Sequence, residues 1–334
     1  MGEISICIKA PPLVDRDQWT NLESQTVFPI GYFQTYEYIL SRKNFLNIKV
    51  IEIKKDQQLI AGMVLNERLV GYGLLRLWSG DGGCIIRQGY VNLGLTSLHR
   101  ALIEFQRKSL TQLVIFNAPY FNYPEILFER FIITGSDKTI QVNLKKDIEE
   151  IWKALPKGSV RYMVNSGKRW GEVRLLVEES WKESYDLMVN HSSEKAYFFP
   201  FQSYEEFIEF LNPGIKNGKL TLIGVYSKNE MVATALFGTA NLQYAHLILL
   251  ASKDTKDYKG SNHLLIWHSI TLLKSKGIET LGLSGLPNPN SKMRGIYEFK
   301  KKWGEIKPVY NLTPRVLKSI IFVYILRLYK LIRR

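Results

Sequence analysis

Apolar runs between turn signals divide each half of the chain into the same series of elements. In the first half they predict strands at 47–53, 59–65 and 72–78, a helix at about 95–108 and a strand at 111–117. In the second half they predict strands at 219–226, 230–237 and 242–250, a helix at about 261–276 and a strand at 278–283. One order of elements therefore occurs twice.

Matching elements of the two halves start 166 to 172 residues apart, and this nearly constant spacing predicts two copies of one domain. Each copy is an antiparallel meander followed by a helix and a strand. We therefore predict an α/β (α+β) fold in which each domain is a mixed, mainly antiparallel sheet flanked by helices. A strand at 139–144 and a helix at 147–155 lie between the copies, so the predicted domains are 1–140 and 141–313, followed by a C-terminal helix over 314–334.

The second copy has additional helices before its meander. Ser203 and Glu206 form a capping-box pattern, in which each side chain satisfies a free backbone N–H at a helix start. Asn212, Pro213 and Gly214 predict the end of that helix.

The formal net charge of +14 favours an anionic partner, but charge alone does not distinguish a nucleic acid from a membrane or a phosphorylated substrate. Residues 314–334 hold six cations and no acid. Their uncharged run at 319–326, flanked by cations, resembles a helix lying on an anionic lipid surface, and the alternative is a helix docked on the domain.

Cys7 and Cys84 are the two cysteines, which excludes a disulfide framework and the usual four-ligand zinc sites and fits a reducing compartment. The N-terminus lacks the pattern of a signal peptide. No run of about 18 uncharged apolar residues occurs, so we predict no spanning helix. The expected location is the cytoplasm, with peripheral attachment to the inner face of the membrane through the tail as an option.

Known catalytic motifs are missing: the chain has no nucleophile elbow, Walker loop, zinc-protease helix or dinucleotide fingerprint. His263 and His268 point apart on a predicted helix, and His268 shares an apolar face, so we expect histidine packing and no metal site. We also expect no tightly bound cofactor.

Cations and tyrosines on or near loops are the remaining candidates. If 159–169 is helical, Arg161 and Lys168 share one face and can hold one anionic group, although on this pattern alone an ordinary solvated face is the better explanation. Tyr244 and His246 alternate along a strand, which places both polar tips on one side. Tyr258 lies in the following turn, and Gly260 precedes a helix start that can present N–H groups to an anion.

The segment GIYEFKKKWG, residues 295–304, sets Tyr297, Phe299 and Trp303 among three consecutive lysines. An amphipathic helix with a solvated basic face is one interpretation. The other is a lysine held between aromatic rings for a chemical purpose.

Residues 147–173, 249–285 and 295–306 together resemble the Fem family of non-ribosomal peptidyltransferases, within the GNAT acyltransferase superfamily. The resemblance covers about 140–310 and is weaker in the stretch 33–43. It is greatest to the compact members, which lack a coiled-coil arm. It implies two tandem GNAT-like domains.

The resemblance also implies a function: transfer of an aminoacyl group from aminoacyl-tRNA to an amine of a peptidoglycan precursor. Related superfamily members use acyl-CoA to acylate amino sugars, polysaccharides or lipids, and this is one alternative. A non-catalytic RNA- or membrane-binding protein is another. The expected partners are thus an aminoacyl-tRNA or acyl-CoA donor, a cell-envelope acceptor and an anionic membrane surface.

Site residues follow from the same resemblance. Lys300 would face the acyl donor beside Phe299, where a shielded ammonium stabilises the negative charge that develops on the carbonyl oxygen and the leaving group. Lys301 and Lys302 would attract phosphate, and Asp254 is a candidate base. The further substrate-binding candidates that the resemblance implies are Gln34, Tyr36, Arg42, Lys43 and Lys195.

Overall fold

The computed structural model describes residues 2–42, 47–70, 75–108, 112–119, 125–195, 199–253, 258–291, 293–317 and 319–321. The strands in chain order are β1 (Ile4–Lys9), β2 (Ile48–Lys55), β3 (Gln58–Val70), β4 (Leu75–Gly80), β5 (Ile85–Ile86), β6 (Gln112–Pro119), β7 (Phe131–Asn143), β8 (Gly171–Leu175), β9 (Leu220–Ser227), β10 (Glu230–Asn241), β11 (Tyr244–Ser252), β12 (Thr280–Gly285) and β13 (Glu305–Pro314). The α-helices are α1 (Arg16–Ser24), α2 (Tyr36–Ser41), α3 (Val91–Arg107), α4 (Glu125–Arg130), α5 (Ile148–Ala154), α6 (Tyr162–Lys168), α7 (Trp181–Lys195), α8 (Tyr204–Lys216), α9 (Ser261–Ser275) and α10 (Arg294–Lys300).

The described residues form two compact units. Unit 1 comprises Met1–Asp137 together with Pro308–Arg334, and unit 2 comprises Lys138–Lys307. Strands β7 and β13 each cross the division. The sequence pattern predicted 308–313 in the second domain and a separate helix over 314–334, whereas the described residues of both segments group with unit 1.

In unit 1 the strand order is β1-β2-β3-β4-β6-β13-β7, with β5 paired to β3. The pairs β1–β2, β2–β3, β3–β4, β3–β5 and β6–β13 are antiparallel, and β4 and β6 are parallel. Helix α3 packs on this sheet through Leu95, Leu98, Leu102 and Phe105, whose spacing places them on one face. The helix and the sheet enclose the core of the unit.

In unit 2 the strand order is β7-β12-β11-β10-β9-β8, and only β11 and β12 of these described strands run parallel. Helix α9 buries Leu264, Leu265 and Ile270 against the sheet. Helix α7 also packs on β10 and β11, where Ser184 and Thr234 share a buried hydrogen bond of 2.8 Å. The mixed, mainly antiparallel sheet with flanking helices confirms the predicted fold class.

Local predictions were correct for the capping box and wrong for the helix end that follows it. The Ser203 hydroxyl accepts a hydrogen bond from Glu206 N, and the Glu206 carboxylate accepts one from Gln202 N. Helix α8 then continues through Pro213 to Lys216. Pro213 removes one intrahelical hydrogen bond, and burial of Phe207, Phe210 and Leu211 on the same helix offsets that loss.

The described part of the tail begins docked on unit 1. Arg315 donates from Nη2 to the Phe128 carbonyl at 3.0 Å, and buried Ser319 donates to Gln106 Oε1 at 3.4 Å. The membrane-binding run that the sequence predicts extends from 322 onward beyond the described residues. Within the described residues, no helix is both long and apolar enough to cross a bilayer.

Candidate active site

Two parallel strands separate early in unit 2. Strands β11 and β12 are paired only at Ala245–Leu281 and His246–Gly282. Strand β11 continues to Ser252 and β12 to Gly285. Beyond these pairs the two strands separate, and their facing backbone groups are no longer paired with each other. A splayed pair of this kind offers backbone N–H groups to a bound carbonyl oxygen.

Ser284 fixes the end of β12 beside this gap. Its φ of 59° lies in the left-handed region, which a residue with a Cβ rarely adopts. Its hydroxyl donates to the Leu247 carbonyl of β11, and its own carbonyl accepts from Thr139 Oγ1 at 2.8 Å. Strained backbone held from both sides is a feature of functional sites.

Lys300 reaches the same place from α10. Its Nζ donates to the Gly285 carbonyl at 2.9 Å. The side chain is half-buried, and desolvation by burial lowers its pKa to about 8. Because burial disfavours the charged form, Lys300 loses its proton more readily than an exposed lysine does. The group can thus donate a hydrogen bond as an ammonium and exchange a proton under ordinary conditions.

His263 on α9 holds the helix that carries Lys300. Its ring meets Phe299 edge-on at 4.9 Å between centroids and lies 5.9 Å from Trp303. Burial, with a smaller contribution from the charge of Lys302, lowers the pKa of His263 to about 4. A neutral imidazole therefore packs against the aromatic rings of Phe299 and Trp303.

From the sequence, His263 was predicted only to point away from His268, and its contact with Phe299 and Trp303 was not predicted. The four-residue spacing of Phe299 and Trp303 was the available signal, since it puts both rings on one helix face. Ser284 gave no comparable signal, because its left-handed backbone depends on the strands around it.

Lys301, the residue after Lys300, has other surroundings. Lys301 forms an ion pair with Glu298 at 2.8 Å, and its ammonium lies 5.3 Å from the centre of the Tyr297 ring. Trp303 is buried in the core of unit 2. The second glycine of the segment, Gly304, is required because a Cβ there would lie 2.0 Å from the Gln141 carbonyl oxygen.

Tyr244 and His246 lie side by side, as the alternation predicted. Their rings stack with 6.0 Å between centroids and 15° between planes. The Tyr244 hydroxyl fits against Gly282, where a Cβ would be 2.2 Å from the oxygen. Burial lowers the pKa of His246 to about 4, so this imidazole is uncharged at neutral pH.

Gly260 serves helix packing. Its φ is 95°, and a Cβ on it would lie 2.3 Å from the Met163 carbonyl oxygen of α6. A Cβ on Gly167 would lie 3.0 Å from the Gly260 carbonyl oxygen and 2.9 Å from Leu264 Cβ. The start of α9 is therefore packed on α6, which replaces anion binding as the reason for this glycine.

Arg161 and Lys168 have different surroundings in the structure. A π-helical turn, Lys157–Arg161, precedes α6 and carries Arg161, whose buried Nε has no hydrogen-bond partner among the described residues. Lys168 instead lies over the Trp152 ring at 5.6 Å. Tyr258 donates to Glu230 Oε2 at 2.7 Å.

The candidates in unit 1 divide into structural and accessible residues. The Gln34 side chain is fully buried, donates to the Val64 and Asp81 carbonyls and accepts from Val64 N, so its amide holds the fold together. Tyr36 and Arg42, at the two ends of α2, keep partly exposed side chains. Lys43, Asp254 and the side chain of Lys195 lie outside the described residues.

Fold and site geometry together define a tandem GNAT-like protein: two units with one order of elements, and in unit 2 a splayed strand pair beside a half-buried lysine. Solved structures show the same fold. FemX matches with a TM-score of 0.72 and 13% sequence identity, over 96% of this chain and 99% of that chain. L-PGS from Bacillus licheniformis matches with a TM-score of 0.60 and 14% identity, over 98% of each chain.

A third similar structure is the tandem GNAT protein from the clavulanic acid biosynthesis pathway, with a TM-score of 0.52, 11% identity and coverage of 93% of this chain and 98% of that chain. No family model matches the sequence, and no curated protein does. The chain thus has a Fem-like, tandem GNAT fold.

Proposed function

We propose that the protein is an acyltransferase that moves an aminoacyl group from aminoacyl-tRNA to an amine of a peptidoglycan precursor. The observation that carries this proposal is the half-buried Lys300, whose Nζ lies 2.9 Å from the Gly285 carbonyl oxygen beside the gap between β11 and β12. The fold shared with FemX and with L-PGS supports the reaction class. The Fem-like segments support the donor and acceptor.

In the proposed reaction the acceptor nitrogen attacks the ester carbonyl carbon. An N–C amide bond forms, the C–O ester bond breaks, and the ribose oxygen leaves. The Lys300 ammonium donates to the oxygen that becomes negative and supplies a proton to the departing ribose oxygen. The acceptor amine gives up its proton to a base, and Asp254 remains the candidate from sequence.

A lowered pKa suits this role. An ammonium with a pKa of about 8 gives up its proton to an alkoxide more readily than an ordinary lysine does, and it still carries charge at neutral pH. Because the group is shielded from water, its charge acts more strongly on the carbonyl oxygen than an exposed charge does.

The packing of α9 favours an aminoacyl ester over acyl-CoA as donor. Free N–H groups at a helix start are a common binding site for a pyrophosphate such as that of CoA. Here that start is packed on the α6 backbone, with Gly260 against the Met163 carbonyl and Ser261 buried. An ester donor that carries no pyrophosphate needs no such cradle.

In unit 2, acceptor binding is proposed for Tyr244 and His246. In unit 1, Tyr36 and Arg42 are proposed as a separate contact to an anionic group. Arg42 presents a cation at the end of α2, with its guanidinium 5.9 Å from the centre of the Tyr38 ring. Contact with an anionic membrane through the tail is part of the same proposal.

The test is a transfer assay on the full chain. The protein is incubated with a nucleotide-linked muramyl-pentapeptide and either a mixture of charged tRNAs or acetyl-CoA, and the products are identified by mass spectrometry. We expect the precursor to gain one amino acid when charged tRNA is the donor and to remain unchanged with acetyl-CoA. Acetylated product would favour the acyl-CoA alternative, and RNA binding without any product would favour a non-catalytic protein.

A further inference from the structure

A basic and aromatic surface lies at the junction of α6 and α9 in unit 2. It consists of Tyr162, Lys168, Arg169, Trp170 and Lys259. The segment 157–170 that supplies most of it contains four cations and no acid. The side chains of Lys168, Arg169 and Lys259 are exposed. The potential of this surface is therefore positive.

Aromatic rings alternate with the cations. Tyr162 is 52% exposed although it is a large aromatic residue, and the Lys259 ammonium lies 5.7 Å from its ring centre. Trp170 lies 5.6 Å from the Tyr258 ring and donates from Nε1 to the Lys259 carbonyl. Exposed rings with adjacent cations are the usual means of stacking unpaired bases and neutralising their phosphates.

The position of the surface relates it to Lys300. Lys259 lies two residues before the start of α9, and His263, the third residue of that helix, contacts the ring of Phe299, the residue before Lys300. The surface and the segment that carries Lys300 therefore contact the same helix.

From this arrangement we infer that the surface binds the single-stranded 3′ end of the donor tRNA, with a base stacked on Tyr162 and a phosphate held by Lys259. The inference rests on the proposed function and names the residues that receive the RNA. Glu172 is paired with Arg174 and Glu230 with Lys253, so neither carboxylate neutralises the cations of the surface.

Binding is measured directly, without transfer. The probe is a fluorescent RNA hairpin that copies a tRNA acceptor stem with its four-nucleotide single-stranded 3′ end, and anisotropy gives its dissociation constant. We expect Tyr162→Ala to weaken binding about tenfold, the effect typical of one lost stacking contact. Lys259→Ala should make the plot of log binding constant against log salt less steep by about 0.7.

The matched control is Lys182→Ala. Lys182 also lies over an aromatic ring, Tyr204 at 5.4 Å, with a side chain that is 56% exposed, but it is on α7. This variant should bind the hairpin as the unaltered protein does. Circular dichroism of each variant shows whether it has folded.

A hairpin without the single-stranded end is the second control, and the Tyr162 variant should bind it as well as the unaltered protein does. Unchanged affinity for the full hairpin in both the Tyr162 and Lys259 variants would overturn the inference. So would competition by phosphatidylglycerol vesicles for the same residues, which would identify the surface as a lipid contact. A failed transfer assay alongside specific hairpin binding would instead count against the proposed function alone.

Discussion

Lys300 joins three properties in one residue: a position beside the splayed strands, a hydrogen bond to Gly285 and a pKa lowered to about 8. Lys300→Ala should reduce kcat/KM for aminoacyl transfer on the order of a hundredfold, the usual cost of one electrostatic contact to a developing oxyanion. Steady-state kinetics measures this. Lys153→Ala removes an exposed cation paired with Glu149 and is the control expected to retain full activity.

The ionisation of Lys300 predicts a pH dependence. Burial lowers its pKa, so the ammonium form is present below about pH 8 and is lost as pH rises through that value. If the ammonium is the active form, kcat declines above about pH 8. Lys300→Arg, which stays charged, should be slower but show no such decline. A rate that increases through pH 8 would instead make the neutral amine the active form.

The Tyr244 side chain occupies the space that a side chain at position 282 would need, so substitutions at the two positions should affect stability jointly. Because a Cβ at Gly282 would lie 2.2 Å from the Tyr244 hydroxyl and 2.9 Å from the ring carbon that bears it, Gly282→Ala should lower the free energy of unfolding by about 1–3 kcal/mol. Tyr244→Phe in the same chain removes the first clash and should restore part of this loss. Urea denaturation of both variants and of Tyr244→Phe alone measures the coupling, and simple additivity would contradict it.

At the scale of elements, β12 depends on Ser284 for its direction. Ser284→Ala loses the hydrogen bond to Leu247, at a cost of about 1–2 kcal/mol, and keeps the left-handed strain. Ser284→Gly loses the same bond but relieves the strain, so it should be the more stable of the two. Chemical denaturation compares them, and equal stabilities would show that the backbone of Ser284 is unstrained.

Helices and strands were predicted correctly where the local hydrophobic pattern agrees with the burial of the same residues in the fold. The meander β9, β10 and β11 is apolar over most of its length, and it was found to within two residues at every start. Helix α8 was ended too early because Pro213 is a strong local stop signal, whereas packing of Phe207, Phe210 and Leu211 stabilises the full helix. Tertiary burial outweighed the local preference there.

Site prediction followed a different rule. Lys300 was named from a resemblance of segments, and Tyr244 with His246 from the two-residue period of a strand. His263 and Ser284 were missed, because their importance comes from Phe299 and Leu247, which are distant in sequence. Contacts between residues so far apart in sequence are set by the fold, and the periodicity of one element does not name its partner on another.

At the scale of the whole molecule, the assignment of β13 to unit 1 predicts the effect of truncation. Val309, Tyr310, Asn311 and Leu312 pair with β6. A chain ending at Lys307 should therefore lose protection of the β6 amides in hydrogen exchange, while β9 and β10 retain theirs. A chain ending at Ile321 is the control and should protect β6 normally. Retained protection after the shorter truncation would show that β13 contributes little to unit 1.

The return of the chain into unit 1 also bears on biosynthesis. During translation the residues up to Asp137 leave the ribosome first, yet their sheet lacks its neighbour for β6 until Pro308–Pro314 has been made. Unit 2 is complete by Lys307. The part of the protein encoded first is thus the part finished last, and until then an unpaired strand edge is open to wrong partners.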